Sequence, residues 1–479
     1  MVRRTGAEAV TAGAGTPSRR AAARAAAAPA EGPASRWEHR LLAGFFVTLV
    51  IPGSFSVAGF TLSASRLFLL LAFVPLFLHW FRGRAWRITA GDVGILLYCF
   101  WIWVALFAVH GPGRVPFAGI QFVEMFGGYL VGRTLVRSAE DYRTFVRYLF
   151  RTMAFLFPFA LAEFLTGWSP LRAISEAFLT VEERTINLQP RLGFVERVQG
   201  PFAHSILFGL FCSLGVANFF FVFREALVKR LARVGMALVM IFTSLSSAPF
   251  LVAGLQLIMM GWDRLFAFMR ARWVVLVAIG LAVVVALEIL VEGGALGFVF
   301  ETFLLVPKTG YFRLVTLEYG VLSVLNHPFF GIGQGEWVRP YWRGHPTIDN
   351  FWLAIAVRYG LPALVFLWFG IACNVVTILR RTGLDPDEQR QRRGYLIALA
   401  GLLMILVSVS LWGPVSTFVL TYVGAGVWFY ARDPVSAGSR RERPPRGGED
   451  DRPRPGARAR PVRTTRLPPR GARARRPGG

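Results

Sequence analysis

Cysteine and lysine are scarce in this sequence. Its 479 residues include three cysteines, Cys99, Cys212 and Cys373, and each lies inside an apolar run. A thiol in such a run behaves as a small hydrophobic group. Three isolated cysteines form neither a disulfide framework nor a zinc-type spacing, so a small secreted scaffold is excluded. Only two lysines occur, Lys229 and Lys308, so arginine carries nearly all of the positive charge.

Charged residues are also few for the length of the chain. They make up 17% of it, whereas hydrophobic residues make up 54% and aromatic residues 14%, and the mean hydropathy is +0.49. The apolar residues gather in repeated runs of about twenty, the length that crosses a bilayer as a helix. This composition excludes a soluble enzyme and a fibre. It predicts an all-α polytopic membrane protein.

The net charge of +25 is highest at the two ends of the chain. Residues 1–40 contain seven arginines and three acidic residues, and residues 432–479 contain fifteen arginines and five acidic residues. Both segments are rich in Ala, Pro, Gly and Arg, so we expect disordered basic cytoplasmic tails around a membrane domain at 41–431. Such tails can contact membrane lipids. We expect no nucleic-acid partner.

The apolar runs predict about twelve transmembrane helices. Five of the connections between them contain 20 Lys and Arg in total, and the connections on the other side contain 9. By the positive-inside rule, this asymmetry places both termini in the cytoplasm. The predicted spans are 41–57, 62–80, 93–109, 117–134, 148–166, 204–222, 234–247, 249–261, 273–292, 351–371, 395–410 and 413–430.

Two long segments, at about 167–203 and 293–350, fall on the predicted outer side, where the other connections are short turns. They mix Arg, His, Trp and Pro instead of flexible Ser and Gly. Long ordered loops commonly carry function. We therefore expect the functional residues here, the alternative being that these segments only join spans.

Several short motifs follow one another in and after these segments. In chain order they are Arg197-x-x-Gly200-x-Phe202-x-His204, Gly310-x-x-Arg313, His327-Pro-x-x-Gly331-x-Gly333, and Asp349-Asn350-x-x-Leu353 followed by Gly360. Their order and their placement on the predicted outer face resemble the O-antigen ligase and polysaccharide polymerase superfamily. The likeness covers about residues 40–430 and leaves out both tails.

This resemblance implies a reaction at the outer face of the bacterial cytoplasmic (inner) membrane. A glycan carried on undecaprenyl pyrophosphate is transferred to a glycan or lipid-linked acceptor hydroxyl, without a metal or any other cofactor. Arginine is permanently charged and binds phosphate through two donors, so we predict that Arg197 and Arg313 hold the pyrophosphate. Ordinary ion pairs with Glu196 or Glu318 are the alternative.

The catalytic base is open between two residues. The family commonly has histidine directly before the asparagine of its HN-type motif, and this chain has Asp349 there. Either Asp349 is the base, or His345 reaches the same place from four residues upstream. A third interpretation is that Asp349 only caps the following helix. Asn350 of the same motif is a candidate substrate ligand, and His204 is a candidate for orienting the acceptor or the pyrophosphate.

Ionisable residues inside predicted spans are costly in hydrocarbon and usually face a polar interior. Arg66, Glu124 and Arg358 are therefore candidates for lining a substrate cavity, with Arg66 and Arg358 as substrate ligands. Mutual pairing is the alternative. For Arg133 and Glu163, which lie near span ends, we favour pairing or snorkelling.

One sequence feature departs from the family's pattern. The family tends to carry a serine-rich stretch with an arginine in a middle span, and this chain has Thr243-Ser-Leu-Ser-Ser-Ala-Pro249 without the arginine.

The run Gly331-x-Gly333-x-Gly335 imitates a dinucleotide-binding loop but lacks the strand-turn-helix context, so we assign no nucleotide site there.

Polymerase and ligase activities remain open, because nothing in the sequence identifies the acceptor. The alternative from another class is a transporter or flippase of polyprenyl-linked glycans or small solutes. Twelve spans with both ends inside is a common transporter layout. Transporters usually contain an internal repeat, and we find none between residues 40–235 and 236–430.

Overall fold

The computed structural model describes residues 34–57, 60–83, 85, 87–181, 195–291, 294–303, 307–342 and 347–431. Most of the predicted basic tails, at 1–33 and 432–479, lies outside the described residues. The helices are α1 Arg36–Leu49, α2 Ala64–Phe81, α3 Ala90–His110, α4 Val115–Leu135, α5 Ala139–Thr166, α6 Pro170–Glu176, α7 Ser205–Val222, α8 Leu227–Thr243, α9 Ser247–Leu265, α10 Arg272–Leu290, α11 Gly294–Phe303, α12 Pro307–Asn326, α13 Phe351–Arg380, α14 Pro386–Ile405, α15 Pro414–Gly424 and α16 Trp428–Ala431. Two short strands, β1 Ser54–Val57 and β2 Phe60–Ser63, pair antiparallel between α1 and α2, and a 3-10 turn at Pro112–Arg114 precedes α4.

Seven segments of the described chain are long and apolar enough to cross a membrane, namely α2, α3, α5, α7, α10, α13 and Pro414–Ala431. Helix α10 has no buried residue, and its Val277 and Ile289 are 70% and 75% exposed. A helix that is apolar all round and packs against little protein is stable in lipid and not in water. These are the properties of a multi-pass helical membrane protein.

Each of the twelve predicted spans coincides at least in part with a described helix. Helices α1, α4, α8, α9 and α14 are not among the seven segments that meet the length and hydropathy requirement. The number of spans and their orientation across a membrane therefore stay predictions.

Helix α1 begins before the predicted boundary of the membrane domain. The Glu38 carboxylate in its first turn accepts hydrogen bonds from the Ser35 backbone N–H (2.6 Å) and the Ser35 hydroxyl (2.9 Å). This carboxylate also interacts favourably with the positive end of the helix dipole. Residues 36–40, which composition assigns to the tail, are thus part of the first helix.

The second half of the predicted span 41–57 is not helical. Pro52 has no backbone N–H to donate, and Gly53 has a φ of +101°, so the chain leaves the helix before this point. The β1–β2 hairpin follows. Ser54 exchanges two backbone hydrogen bonds of 2.8 Å with Thr180, which ties the hairpin to the segment after α6.

Helices α3 and α13 pack closely along their length. A Cβ added at Gly94 of α3 would lie 2.5 Å from the Gly370 Cα of α13, so the two backbones touch where both residues are glycine. Small residues allow this approach between membrane helices, where dispersion forces and hydrogen bonds hold the helices together.

A buried ion pair joins α3 and α4. The Arg133 guanidinium donates to both carboxylate oxygens of Asp92, at 2.8 Å from Nε and 3.1 Å from Nη2, and the two side chains are 1% and 0% exposed. The Tyr129 hydroxyl donates to the same carboxylate at 2.6 Å. The interpretation of Arg133 as a paired structural residue is confirmed.

The predicted loop 293–350 contains two helices, α11 and α12, and its own small core. Val324 of α12 and Trp337 of the following segment cluster with Leu353 and Val357 of α13. This cluster is separate from the main core, so the segment is a packed structure and not a simple connection.

Thiol labelling from each side of the membrane tests the predicted orientation. Thr347 and Thr382 are both exposed and flank the 30-residue helix α13. In a Cys373→Ser background, we expect a membrane-impermeant maleimide to label Thr347→Cys in intact cells and Thr382→Cys only after permeabilisation. The opposite pattern would reverse the orientation, and labelling of both from one side would remove α13 from the spans.

Candidate active site

Two adjoining cavities lie where α13 begins. The first has a volume of about 240 Å³ between α3, α4, α13 and the segments 347–351 and 410–416. The second has a volume of about 500 Å³ between the start of α2, α4 and the segment 411–416. We name them the Asp349 cavity and the Arg66 cavity. Their shared wall consists of Gln121, Met125, Leu411, Trp412 and Ser416.

Two of the predicted site residues, Asp349 and Arg358, line the Asp349 cavity. Arg358 donates from Nη1 to the Gly333 carbonyl oxygen at 3.1 Å. Within the described chain it forms no ion pair, and the Asp349 carboxylate accepts no hydrogen bond. A guanidinium has five N–H donors, so Arg358 keeps donors for a ligand in the cavity.

Arg313 of α12 is an electrostatic neighbour of Asp349. Burial lowers the pKa of the Arg313 guanidinium, and the negative charge of Asp349 opposes this shift. Because the ordinary pKa of arginine lies far above neutrality, the Arg313 guanidinium stays charged at physiological pH. The structure thus brings Arg313 and Asp349, two predicted site residues from different segments, into one electrostatic environment.

The Arg66 cavity contains a partly exposed ion pair. Arg66 Nε and Nη2 donate to the two Glu124 carboxylate oxygens at 2.8 and 3.1 Å, and the side chains are 28% and 17% exposed. Arg66 also donates to the Thr61 carbonyl. Arg114, which the motif analysis did not select, lines the same cavity. Both alternatives for Arg66 and Glu124 therefore hold, since they pair with each other and line a cavity.

A break in helix α13 shapes the wall that carries Arg358. Gly360 has φ +79° and ψ 173°, values outside the helical region, and Pro362 has no N–H to donate. The backbone carbonyls just before the break lack the N–H donors that a regular helix supplies four residues later in the chain. In an apolar environment such groups must find other donors.

The segment 328–333 and one tryptophan supply the missing hydrogen bonds. The Leu361 N–H donates to the Pro328 carbonyl at 2.8 Å. The three carbonyls before the break accept from Ile332 N–H at Val357 (2.9 Å), from Gly333 N–H at Arg358 (2.8 Å) and from Trp101 Nε1 at Tyr359 (3.0 Å). These four hydrogen bonds tie both sides of the break to neighbouring segments and hold the backbone that carries Arg358.

The glycine run that imitates a dinucleotide loop is the turn that docks on this break. Gly331 and Gly333 have φ values of +65° and +58°. A Cβ at Gly333 would overlap the His110 ring, whose Nε2 accepts a 2.8 Å hydrogen bond from the Gln334 N–H. The glycines thus serve backbone conformation and close packing.

Asn350, and not Asp349, caps helix α13. The Asn350 side-chain oxygen accepts a hydrogen bond of 3.0 Å from the Leu353 N–H. The capping interpretation of Asp349 is therefore wrong, and the predicted ligand Asn350 has a structural partner. His345, the other candidate base, lies outside the described residues.

Arg197 lines neither cavity. It is 8% exposed, and its guanidinium donates from Nη2 to the Ser246 hydroxyl at 2.8 Å and from Nε to the Ser244 carbonyl at 3.4 Å. The serine-rich stretch thus has an arginine against it, supplied by a segment about fifty residues earlier in the chain. Sequence spacing gave no signal for this contact.

The residues after Arg197 are held by Glu163. Its carboxylate accepts from the Gln199 N–H at 2.9 Å and from the Gly200 N–H at 3.2 Å. It also accepts from the Ser169 hydroxyl at 3.1 Å. Glu163 is 1% exposed, so its partners in the described chain are structural and it does not snorkel.

His204 caps helix α7 beside the shared cavity wall. Its Nδ1 accepts a hydrogen bond of 3.1 Å from the Ile206 N–H, which leaves Nε2 to carry the proton of the neutral ring. Its ring meets Trp412 edge to face, with centroids 6.1 Å apart. Trp412 and Gln121 are wall residues that sequence analysis missed, because neither belongs to a motif.

Comparison with known proteins gives no match to any protein-family model and no significant match to a curated protein. Among the residues that the structure describes, no group of three His, Cys, Asp or Glu side chains could hold a metal ion. The site is defined here by its geometry alone.

Substitution of Gly360 tests the helix break. In Gly360→Ala, a Cβ at φ +79° would overlap the Phe329 carbonyl, so we expect a loss of about 1–3 kcal/mol of stability. In Gly280→Ala on α10, no atom lies within 4 Å, and we expect no loss. Thermal unfolding of the purified proteins in detergent measures both, and equal midpoints would contradict the importance of the break.

Proposed function

We propose that this protein is an O-antigen ligase-like glycosyltransferase, which transfers or polymerises a glycan from undecaprenyl pyrophosphate to an acceptor hydroxyl at the outer face of the cytoplasmic membrane. One observation carries the proposal. The Asp349 carboxylate, without a hydrogen-bond donor in the described chain, lines the same cavity as the Arg358 guanidinium, which forms no ion pair with a described residue. A base and a phosphate ligand that face one cavity are what this reaction needs.

The acceptor hydroxyl must lose its proton as it attacks the anomeric carbon. Asp349 is suited to accept that proton, because its oxygens are not engaged by a helix cap. The acceptor oxygen then bonds to the anomeric carbon while the bond from that carbon to the pyrophosphate oxygen breaks. Undecaprenyl pyrophosphate leaves with the electron pair of that bond.

Negative charge grows on the pyrophosphate oxygen during this step, and fixed guanidinium groups stabilise it. We assign this role to Arg358, which lines the Asp349 cavity, and to Arg66 and Arg114, which line the Arg66 cavity. In this proposal the positive charge of Arg313 acts on Asp349, its electrostatic neighbour. In this proposal Arg197 positions the serine-rich stretch and does not bind the donor.

The two cavities share a wall, and together they have room for two substrates. Donor phosphates in the Arg66 cavity and an acceptor sugar in the Asp349 cavity would meet across Gln121 and Ser416, which line both.

The broken helix α13 favours the second candidate function, that of a transporter, because broken helices bind substrates in transporters.

The variant Asp349→Asn tests the base. Asparagine keeps the shape of the side chain but cannot take the proton, so we expect a loss of about 10²–10⁴-fold in transfer rate. Asp385→Asn is the control, because asparagine is an equally good helix cap at that exposed position. His345→Ala is measured beside them; a large loss there with normal activity in Asp349→Asn would assign the base to His345.

The assay uses full-length protein in detergent with an undecaprenyl-pyrophosphate-linked oligosaccharide, and follows the released lipid pyrophosphate and the glycan length. A ladder of longer glycans identifies a polymerase, and a single transfer to an added acceptor identifies a ligase. Binding of the donor without any release, across all acceptors, would reject the enzyme in favour of the transporter.

A further inference from the structure

A dense group of arginines lies at the other end of α13, away from the two cavities. It comes from the connection between α7 and α8, from the first turns of α8 and from the first turns of α14. We name it the Arg390 cluster; it consists of Arg224, Arg230, Arg233, Arg390 and Arg393.

Three of these arginines have acidic partners. Arg224 pairs with Asp387 at 2.8 Å, Arg233 with Glu225 at 2.6 Å and Arg393 with Asp263 at 3.2 Å. Two of those carboxylates are shared, since Asp387 also pairs with Arg143 and Asp263 with Arg272. Positive charge therefore exceeds negative charge in the described part of the cluster.

Arg230 and Arg390 form no ion pair with any described residue. Both are anchored to the end of α7, where Arg230 Nη1 donates to the Phe220 carbonyl and Arg390 Nη2 to the Phe223 carbonyl, each at 3.1 Å. This anchoring satisfies part of each guanidinium and leaves further donors. The buried Arg230 Nε has no hydrogen-bond partner among the described residues.

The electrostatic surroundings of Arg390 are unfavourable for its charge. Burial lowers the pKa of its guanidinium, and the like charges of Arg230, Arg224 and Arg393 lower it further, with Asp387 opposing. An anion placed among these groups would relieve the repulsion. Guanidinium forks bind phosphate oxygens in pairs, which makes phosphate the fitting anion.

The surface beside these arginines is apolar. On the first turns of α8, Leu227, Val228 and Leu231 are 51%, 77% and 50% exposed. Inorganic phosphate has no apolar group that could pack against this surface. A phospholipid has a phosphate that can bind the arginines and acyl chains that can contact the apolar side chains. Basic groups next to membrane-embedded helices commonly bind anionic lipid headgroups in this way.

We propose that the Arg390 cluster binds the phosphate headgroup of an anionic phospholipid, whose acyl chains lie against Leu227, Val228 and Leu231. Arg230 and Arg390 hold the phosphate, and the lipid joins the ends of α7, α8 and α14. The site is independent of the glycosyltransferase proposal, since it lies at the opposite end of α13 and needs only the membrane.

The test measures the thermal unfolding midpoint of the full-length protein in nonionic detergent. Phosphatidylglycerol is titrated against phosphatidylcholine at the same mole fraction and against inorganic phosphate at matched ionic strength. We expect phosphatidylglycerol to raise the midpoint by about 3 °C or more, and the other two to have little effect.

The double variant Arg230→Gln/Arg390→Gln should need about tenfold more phosphatidylglycerol for half of the shift, because it lacks both forks. The control Arg82→Gln/Arg264→Gln removes the same charge from two exposed arginines whose side chains have no partner in the described part of the chain, and should respond like the wild type. If the double variant does not fold, the single variants Arg230→Gln and Arg390→Gln should each show a smaller loss.

Three results would overturn the proposal. An equal shift with phosphatidylcholine would mean general lipid solvation. The full shift with inorganic phosphate alone would mean a free-anion site. A wild-type response in the arginine variants, double or single, would place the lipid elsewhere, for instance on the basic tails.

Discussion

A helix broken inside an apolar environment must find new partners for its freed backbone groups, and the arrangement of this site depends on that constraint. At Gly360 and Pro362 the hydrogen-bond ladder of α13 stops, and the segment 328–333 together with Trp101 replaces it. The same segment offers its Gly333 carbonyl to the Arg358 side chain. One set of hydrogen bonds therefore holds the break, the docked turn and the cavity arginine in a fixed relation.

Hydropathy predicted most of the fold because helix formation in an apolar run is decided locally. All twelve predicted spans coincide at least partly with helices, since each run satisfies its own backbone hydrogen bonds. The prediction of a helix was wrong at 50–57, and the cause is again local. Pro52 and Gly53 end the helix, and Ser54 then pairs with Thr180, a contact between residues far apart in the sequence that composition cannot reveal.

The candidate site was predicted only in part. Prediction worked better for residues that lie close together in the sequence than for residues from distant segments. Asp349 and Arg358 lie nine residues apart at the start of one helix, so their common cavity is close to a local property. The contact between Arg197 and Ser246 joins segments that no periodicity connects, and it gives a structural partner to a residue that the motif predicts to bind phosphate. The wall residue Trp412 lies in a short turn between helices and belongs to no motif.

Burial distinguishes two of the arginine–carboxylate pairs that the structure describes. Arg133 and Asp92 are almost fully buried, and removing one partner would leave an uncompensated charge at a cost of about 3–5 kcal/mol. Arg66 and Glu124 have the same chemistry but border a cavity and remain partly exposed, where such pairs contribute about 0–1 kcal/mol. A ligand that entered the Arg66 cavity would therefore compete with Glu124 at less cost than a ligand that competed with Asp92 for the buried Arg133. Identical groups thus form a buried link between α3 and α4 in one place and a partly exposed pair at a cavity wall in the other.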